Sequence, residues 1–266
     1  MQTLYGQFVY PEGFDPKHLH FLALKSLTKF FATIGYSPGT VRLMLSRSVK
    51  DGEFLRKKNG KNVFYSPSPE MVNDIYSTGA WAFSKDSQKP WDGGWFIVTY
   101  QIPDERRELR ERLRNRLTRL GFGRLTYSVW VSPFDRSEVI TRIANELQIS
   151  NEVITFSSKE TNMPPETLTT RAWDLSKIAR YYLDLIELLN TIKAALSNNP
   201  SDEEAFGGIW EACAHFVITV KDDPYLPPAL LPADWPGNRA AELYSDLVQI
   251  LYTRALNFYK ENVVYF

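Results

Sequence analysis

The stretch Ser37-Pro38-Gly39-Thr40-Val41-Arg42-Leu43-Met44-Leu45-Ser46-Arg47-Ser48-Val49-Lys50-Asp51-Gly52, followed by Phe54-Leu55-Arg56-Lys57-Lys58-Asn59-Gly60-Lys61-Asn62-Val63-Phe64-Tyr65, decides how the chain begins to fold. Ser37 suits an N-cap and Pro38 the first helical position, so a helix is expected to run from Gly39 to Lys50 and to stop at Gly52. Upstream, Leu19, Leu22, Ala23, Leu27, Phe30 and Phe31 recur at helical spacing as far as Gly35, which predicts an amphipathic helix. Downstream, two short β-prone runs flank Lys58-Asn59-Gly60-Lys61, and Asn-Gly between such runs is a strong hairpin signal. Helix, turn, helix and basic hairpin together predict a winged helix.

Working outward, proline and glycine clusters at Ser66 to Pro69, Ser84 to Gly94 and Thr161 to Glu166 mark boundaries. They divide the chain into a winged helix over 1–68, a connecting helix (69–83) and linker over 69–94, a middle domain over 95–165 and a helical domain over 166–266. In the middle piece the pattern is strand (Trp95 to Gln101), helix (Asp104 to Leu120), strand (Gly121 to Thr126), strand (Tyr127 to Val131), helix (Ser137 to Leu147) and strand (Glu152 to Phe156). That order is β-α-β-β-α-β, a ferredoxin-like unit. Beyond it, three groups hold helical spacing: Leu175, Ile178, Tyr182, Leu185, Ile186 and Leu189; then Ile209, Ala212, Cys213 and Phe216; then Leu243, Leu247, Ile250, Leu251 and Ala255. A proline-rich segment from Asp223 to Pro236 crosses between the last two. The fold class expected is α+β: an N-terminal winged helix, a ferredoxin-like middle domain and a C-terminal helical domain.

Composition narrows the function. At 266 residues with 44% hydrophobic and 23% charged side chains, the chain can bury real cores. No apolar run is long enough to span a bilayer and the first ten residues do not read as a signal peptide, so a cytoplasmic protein without membrane contact is expected. One cysteine, Cys213, and three histidines, His18, His20 and His215, offer neither an internal disulfide nor a soft metal site. No Ser-His-Asp order and no phosphate-cradling glycine loop occurs, so no catalytic residue, metal or cofactor is assigned and a non-enzyme is expected. The net charge of zero conceals an asymmetry: residues 1–66 hold ten basic and four acidic side chains, residues 171–266 eight and thirteen. A local basic excess is the useful sign of nucleic-acid binding, because phosphate neutralisation supplies non-specific affinity.

Taking Val41, Leu45 and Val49 as the inward side of the second helix, a step of about 100° per residue sends Thr40, Leu43, Ser46, Arg47 and Lys50 outward, with Arg42 at the edge and Ser37 at the N-cap. Arginine can fork onto guanine, hydroxyls and lysine suit phosphates, and an exposed Leu43 can pack on a thymine methyl. Lys57, Lys58, Asn59 and Lys61 in the hairpin would add backbone or minor-groove contacts. The competing reading of both is a solvated basic surface. The arginine run from Arg106 to Arg119 interleaves with Glu105, Glu108 and Glu111, and with pairs such as Glu108 and Arg112 four apart it reads first as a salt-bridged helix surface.

Several motifs resemble the PaaX-type regulators: Ile34 to Arg47, Asn59 to Tyr65, Arg107 to Leu113, Leu120-Gly121-Phe122-Gly123, Trp130-Val131-Ser132-Pro133, Arg171-Ala172-Trp173-Asp174-Leu175, Asp223 to Pro227, and Leu231 to Gly237. The resemblance covers nearly the whole chain. It implies a repressor that leaves its operator on binding a coenzyme A thioester, phenylacetyl-CoA in the best-known members. A homodimer on a roughly palindromic double-stranded site is the matching assembly. Only eight residues precede Val9, so the first helix of the head is expected to be short or missing.

A CoA thioester carries phosphates that want arginines and an acyl group that wants an aromatic wall. Arg171, Trp173 and Tyr182 are the candidates, with His215 or Trp235 nearby. His215, on the apolar side of a helix beside Cys213, reads first as a core histidine and only second as a ligand contact. The middle piece is also similar to the small spacer-integration proteins of CRISPR systems, so a nucleic-acid scaffold or nuclease stays as an alternative. A hard metal would need a carboxylate at the end of the first strand, where this chain has Gln101. The third possibility is an interaction protein whose winged helix binds another protein.

Overall fold

The computed structural model describes residues 19–72, 90–196 and 199–266. The region before Leu19, with His18 and the stretch where a first helix is expected to be short or missing, lies outside them, as does most of the expected connecting helix. In chain order the elements are β1 (Leu22–Ala23), α1 (Leu24–Ala32), α2 (Pro38–Lys50), β2 (Phe54–Asn59), β3 (Asn62–Pro67), β4 (Trp95–Tyr100), α3 (Arg107–Arg119), β5 (Gly123–Arg124), β6 (Val129–Ser132), α4 (Ser137–Glu146), β7 (Val153–Ser158), α5 (Pro165–Ala172), α6 (Leu175–Ala195), α7 (Asp202–Val220) and α8 (Gly237–Asn262). They form two compact units. One holds residues 19–72 with Tyr182–Thr219 and Pro236–Phe266, the other residues 90–181 with Val220–Trp235. The helical piece that follows residue 165 is thus shared between the units, and the boundary runs through α6.

In the first unit β1 leads into α1 and α2, and the β2–β3 hairpin that follows joins it in a three-stranded antiparallel sheet of order β1-β3-β2. Ser37 caps α2, its hydroxyl accepting from the Thr40 N–H at 3.2 Å, and Pro38 occupies the first turn. The β2–β3 hairpin pairs Asn59 with Asn62, leaving a two-residue loop. Gly60 takes φ 57° there, the position that a II′ hairpin turn gives to glycine. The helix expected from Leu19 begins only at Leu24. Leu22 and Ala23 instead pair with Tyr65 and Phe64. Phe21, Leu22 and Ala23 are all buried, and a continuous apolar run is what a strand covered on both faces shows, although the same residues fit helical spacing.

α1 also serves the C-terminal helices. The Phe30 ring lies 5.0 Å from Phe206 of α7 and 5.4 Å, stacked, from Tyr259 of α8, while Phe31 meets Trp210 edge-on at 4.6 Å. Fully burying side chains of this size contributes roughly 1.5–3 kcal/mol each. A Cβ on Gly207 would sit 3.0 Å from the Thr33 carbonyl oxygen, so glycine is what lets α7 approach the end of α1.

The second unit holds a four-stranded antiparallel sheet of order β5-β6-β4-β7, the ferredoxin-like arrangement expected from the sequence. Leu113 and Leu117 of α3 and Ile140 and Ile143 of α4 pack with Phe96, Val98, Tyr100 and Trp130 of the sheet. The strand expected over Gly121 to Thr126 shrinks to Gly123–Arg124, because the chain turns back at Leu125, whose N–H donates to the Val129 carbonyl at 2.9 Å. Three of the motif stretches meet beside it. A Cβ on Gly123 would lie 2.5 Å from the Trp173 ring, one on Gly121 would lie 3.0 Å from the Pro224 oxygen, and the Trp173 indole N–H donates to the Gly121 carbonyl at 3.1 Å.

Candidate DNA-binding face and ligand concavity

α2 has two unlike sides. Val41 and Leu45 are buried and Val49 half-buried, whereas Thr40, Arg42, Leu43, Ser46, Arg47 and Lys50 are exposed, Leu43 to 52%. Ser37 is also exposed, but its hydroxyl is engaged as the cap and shares a 2.9 Å hydrogen bond with the Thr40 hydroxyl. Neither α2 nor the β2–β3 hairpin contains an acidic residue. The potential over this surface is therefore dominated by Arg42, Arg47, Lys50, Arg56, Lys57, Lys58 and Lys61, which outnumber the two exposed carboxylates, Asp51 and Glu53, in the turn between α2 and β2. Lys58, Asn59 and Lys61 are exposed in the hairpin as expected. Arg56, not singled out from the sequence, joins them. Lys57 is exposed too, but it differs in its contacts: its ammonium lies 4.2 Å from the Phe21 ring centroid and 5.0 Å from that of Phe266.

Half of the six arginines of α3, and Arg106 just before it, are tied down in ion pairs. Arg106 pairs with Glu152, Arg110 with Asp104 at 2.8 Å, Arg114 with Glu111 at 2.9 Å, and Arg116 with Glu146 at 2.5 Å. Arg116 holds the Glu146 carboxyl below its ordinary range. Arg114 also donates to the Tyr100 hydroxyl at 2.9 Å and lies over the Tyr127 ring at 4.0 Å. The expected salt-bridged surface is present, but its partners are chiefly other elements. The pair named from spacing, Glu108 and Arg112, forms no ion pair among the described residues.

The effector candidates are separated. Arg171 and Trp173 line a shallow concavity of about 360 Å³ with Arg124, Thr170, Asp174 and Ser176. Trp173 is buried there, while Arg124 and Arg171 are exposed. Asp174 accepts from the Lys177 N–H at 3.0 Å and so caps the start of α6. Trp235, half-buried, is in the same unit but not among the lining residues, and Tyr182 is buried in the other unit. His215 is exposed, which corrects the core reading. Two residues on from buried Cys213 is about 200° round a helix, so His215 falls on the outer stripe with Glu211 and Ile218. Arg124 was not foreseen, because only the folding of β5 against α5 brings it to Arg171.

Gln101 follows β4 at the surface, its N–H donating to the Glu152 carbonyl at 2.9 Å. Among the described residues no group of three or more His, Cys, Asp or Glu could hold a metal ion, and no helix is long and apolar enough to cross a membrane.

Comparison with known proteins places this geometry. A solved Mycobacterium tuberculosis structure, the uncharacterised protein Rv0674, superimposes with a TM-score of 0.57 at 22% identity over 88% of this chain and 90% of its own, which is a likeness of fold. The Transcriptional repressor PaaX of Escherichia coli (strain K12) is 25% identical over 98% of this chain and 82% of its own length. Family models match in succession: PaaX-like protein over residues 1–71, the PaaX protein central Cas2-like domain over 88–169, and the PaaX-like protein C-terminal domain over 173–261. With the head, the sheet unit and the C-terminal helices each matched in order, the chain belongs to the PaaX family.

Proposed function

We propose that this chain is a transcriptional repressor that reads double-stranded DNA with α2 and steadies itself on the phosphates with the β2–β3 wing. The observation that carries the reading is the acid-free outer face of α2, where Arg47, Leu43 and Ser46 stand clear of solvent-excluded Val41 and Leu45. A buried inward stripe fixes the helix, so the outward side chains are free to enter a major groove. The PaaX repressor homologue supports the same assignment. Acting as a homodimer, two such helices would read a roughly palindromic operator. Non-enzymatic regulation, in the cytoplasm where DNA is met, completes the reading.

Release by an acyl-CoA is the second part of the proposal. Arg124 and Arg171 flank the concavity beside Trp173 and suit the phosphates of such a ligand, with the acyl group directed at the aromatic wall. Trp235, in the same unit, is a secondary candidate. A tenfold loss of operator affinity needs about 1.4 kcal/mol of coupling between the sites.

Gel shifts on the DNA upstream of the chain's own gene, with mutated base pairs and varied salt, test the first part. Sequence preference that survives added salt is expected, and equal binding to any polyanion would overturn it. Titration calorimetry with a panel of acyl-CoA compounds, then gel shifts with each binder present, tests the second. No heat, or binding that leaves operator affinity unchanged, rejects sensing and leaves DNA binding standing.

A further inference from the structure

The outer side of a small winged-helix sheet is ordinarily wet, yet here it carries a second core. Phe21, Ala23 and Phe64 are buried in it, with Leu19 and Val264 packed against them. The cover comes from Val263–Phe266, about 240 residues distant in sequence. Helix α8 ends with the Val263 N–H donating to the Tyr259 carbonyl at 2.8 Å, and the chain continues extended alongside β1. The Ala23 N–H donates to the Val264 carbonyl at 2.8 Å, the Phe266 N–H donates to the Phe21 carbonyl at 2.9 Å, and Leu22 faces Tyr265 in an antiparallel bridge. Buried Ser26 accepts from the Val264 N–H at 3.0 Å, and the Tyr265 hydroxyl shares a 2.6 Å hydrogen bond with that of Tyr259. The sheet thus gains a further strand beside β1. A β-branched and aromatic run, Val263-Val264-Tyr265-Phe266, fits that role.

At the far end the segment reaches the wing. The Phe266 ring meets Phe64 of β3 edge-on at 5.3 Å and lies 6.3 Å from Phe21. The ammonium of Lys57, in β2, sits near both Phe21 and Phe266. Lys57 lies opposite Phe64 in the β2–β3 register, so the cation and the rings belong to one face of the hairpin. Within this unit a continuous path therefore runs from Tyr259, itself stacked on Phe30, through a backbone-paired strand to the charged hairpin.

We propose that Val263–Phe266 is a positioning strand for the DNA-binding wing, and that Lys57 is its latch, held over Phe21 and Phe266 instead of serving as one more phosphate contact. The proposal rests on the DNA-binding reading above. A wing anchored at one edge only would sample many attitudes, and each would have to be frozen when DNA binds. With the latch closed that ordering is done in advance. It also means that a displacement of α8 relative to α1 reaches the wing through a paired strand.

The test is a double-mutant cycle on the full chain with Phe266→Ala and Lys57→Met, each of which keeps the backbone pairing and, for Met, most of the aliphatic stem. The expected result is that each variant binds operator DNA about two- to fivefold more weakly, the scale of an exposed cation–π contact. The double variant should be no weaker than either single one, and the salt dependence should match that of the parent. Additive losses, with a salt slope flattened by roughly 0.9 in Lys57→Met, would show Lys57 to be an ordinary phosphate contact and overturn the proposal. Phe266→Ala binding like the parent would overturn it too. Amide exchange at Phe64 and Tyr65 in the DNA-free protein should quicken equally in both variants. If the parent binds no DNA at all, the proposed function fails, and this exchange alone then decides whether the latch exists.

Discussion

Replacing Arg47 by Ala separates recognition from folding more cleanly than any other change in the head. The side chain is exposed on α2, with Val41 and Leu45, 1% and 0% exposed, on the opposite side, and it has no ion-pair or hydrogen-bond partner among the described residues. Truncation therefore leaves no cavity and no orphaned buried group, and alanine is at least as good a helix former, so fold stability should stay within about 0.5 kcal/mol. If the guanidinium forks onto a base, its loss costs roughly 1–3 kcal/mol of specific binding, which is about fivefold to 150-fold in affinity. The control is Leu45→Ala, two residues earlier and fully buried, which should lose roughly 2–5 kcal/mol of stability through the cavity it leaves. Thermal unfolding and gel shifts on matched and base-substituted operators read the two effects apart. Unchanged affinity and unchanged base preference in Arg47→Ala, at an unchanged melting temperature, would refute the assignment of α2 as the reading helix.

Replacing Lys58 and Lys61 together by Ala should weaken binding to all sequences alike and flatten the log–log salt slope by roughly two units, which gel shifts at several salt concentrations will read. Gly123→Ala should destabilise the sheet unit by about 1–3 kcal/mol or more in thermal unfolding, since the new methyl would meet Trp173 at 2.5 Å and Ala172 at 2.6 Å. Arg124→Ala and Arg171→Ala should each weaken acyl-CoA binding in calorimetry while leaving operator affinity without ligand intact; equal ligand binding in both would move the site elsewhere. Burial, and then the nearby Asp223 carboxylate, push the Tyr225 hydroxyl well above its ordinary value, so the folded state favours the neutral phenol. Stability from this source is full below the unfolded tyrosine value of about 10 and falls as pH rises past it. Tyr225→Phe should show a shallower alkaline decline in melting temperature, at the cost of the hydroxyl's 2.9 Å hydrogen bond to Val220.

Much of the head was legible because its signals are local. The Ser37 cap, Pro38 in the first turn and the Gly60 hairpin each involve residues a few positions apart, and a step of about 100° placed Arg47 and Leu43 outside without any knowledge of what lay inside. The same arithmetic, counted from Cys213, puts His215 outside. Elsewhere the local signals are ambiguous: Leu22 and Ala23 satisfy helical spacing and strand burial equally, and only pairing with Phe64 and Tyr65 chooses between them.

The sequence by itself thus determined α2 and its outward side, the β2–β3 hairpin and the ferredoxin-like pattern, since caps, turns and apolar periods are fixed by neighbours along the chain. The tertiary structure alone decided that α1 packs on α7 and α8, that Arg124 joins Arg171, and that Val263–Phe266 pairs beside β1 and reaches Lys57. These contacts link residues from tens to more than two hundred positions apart. Their register is chosen by which apolar faces can be buried together and which backbone groups then find partners, and no period or turn in the chain records that choice.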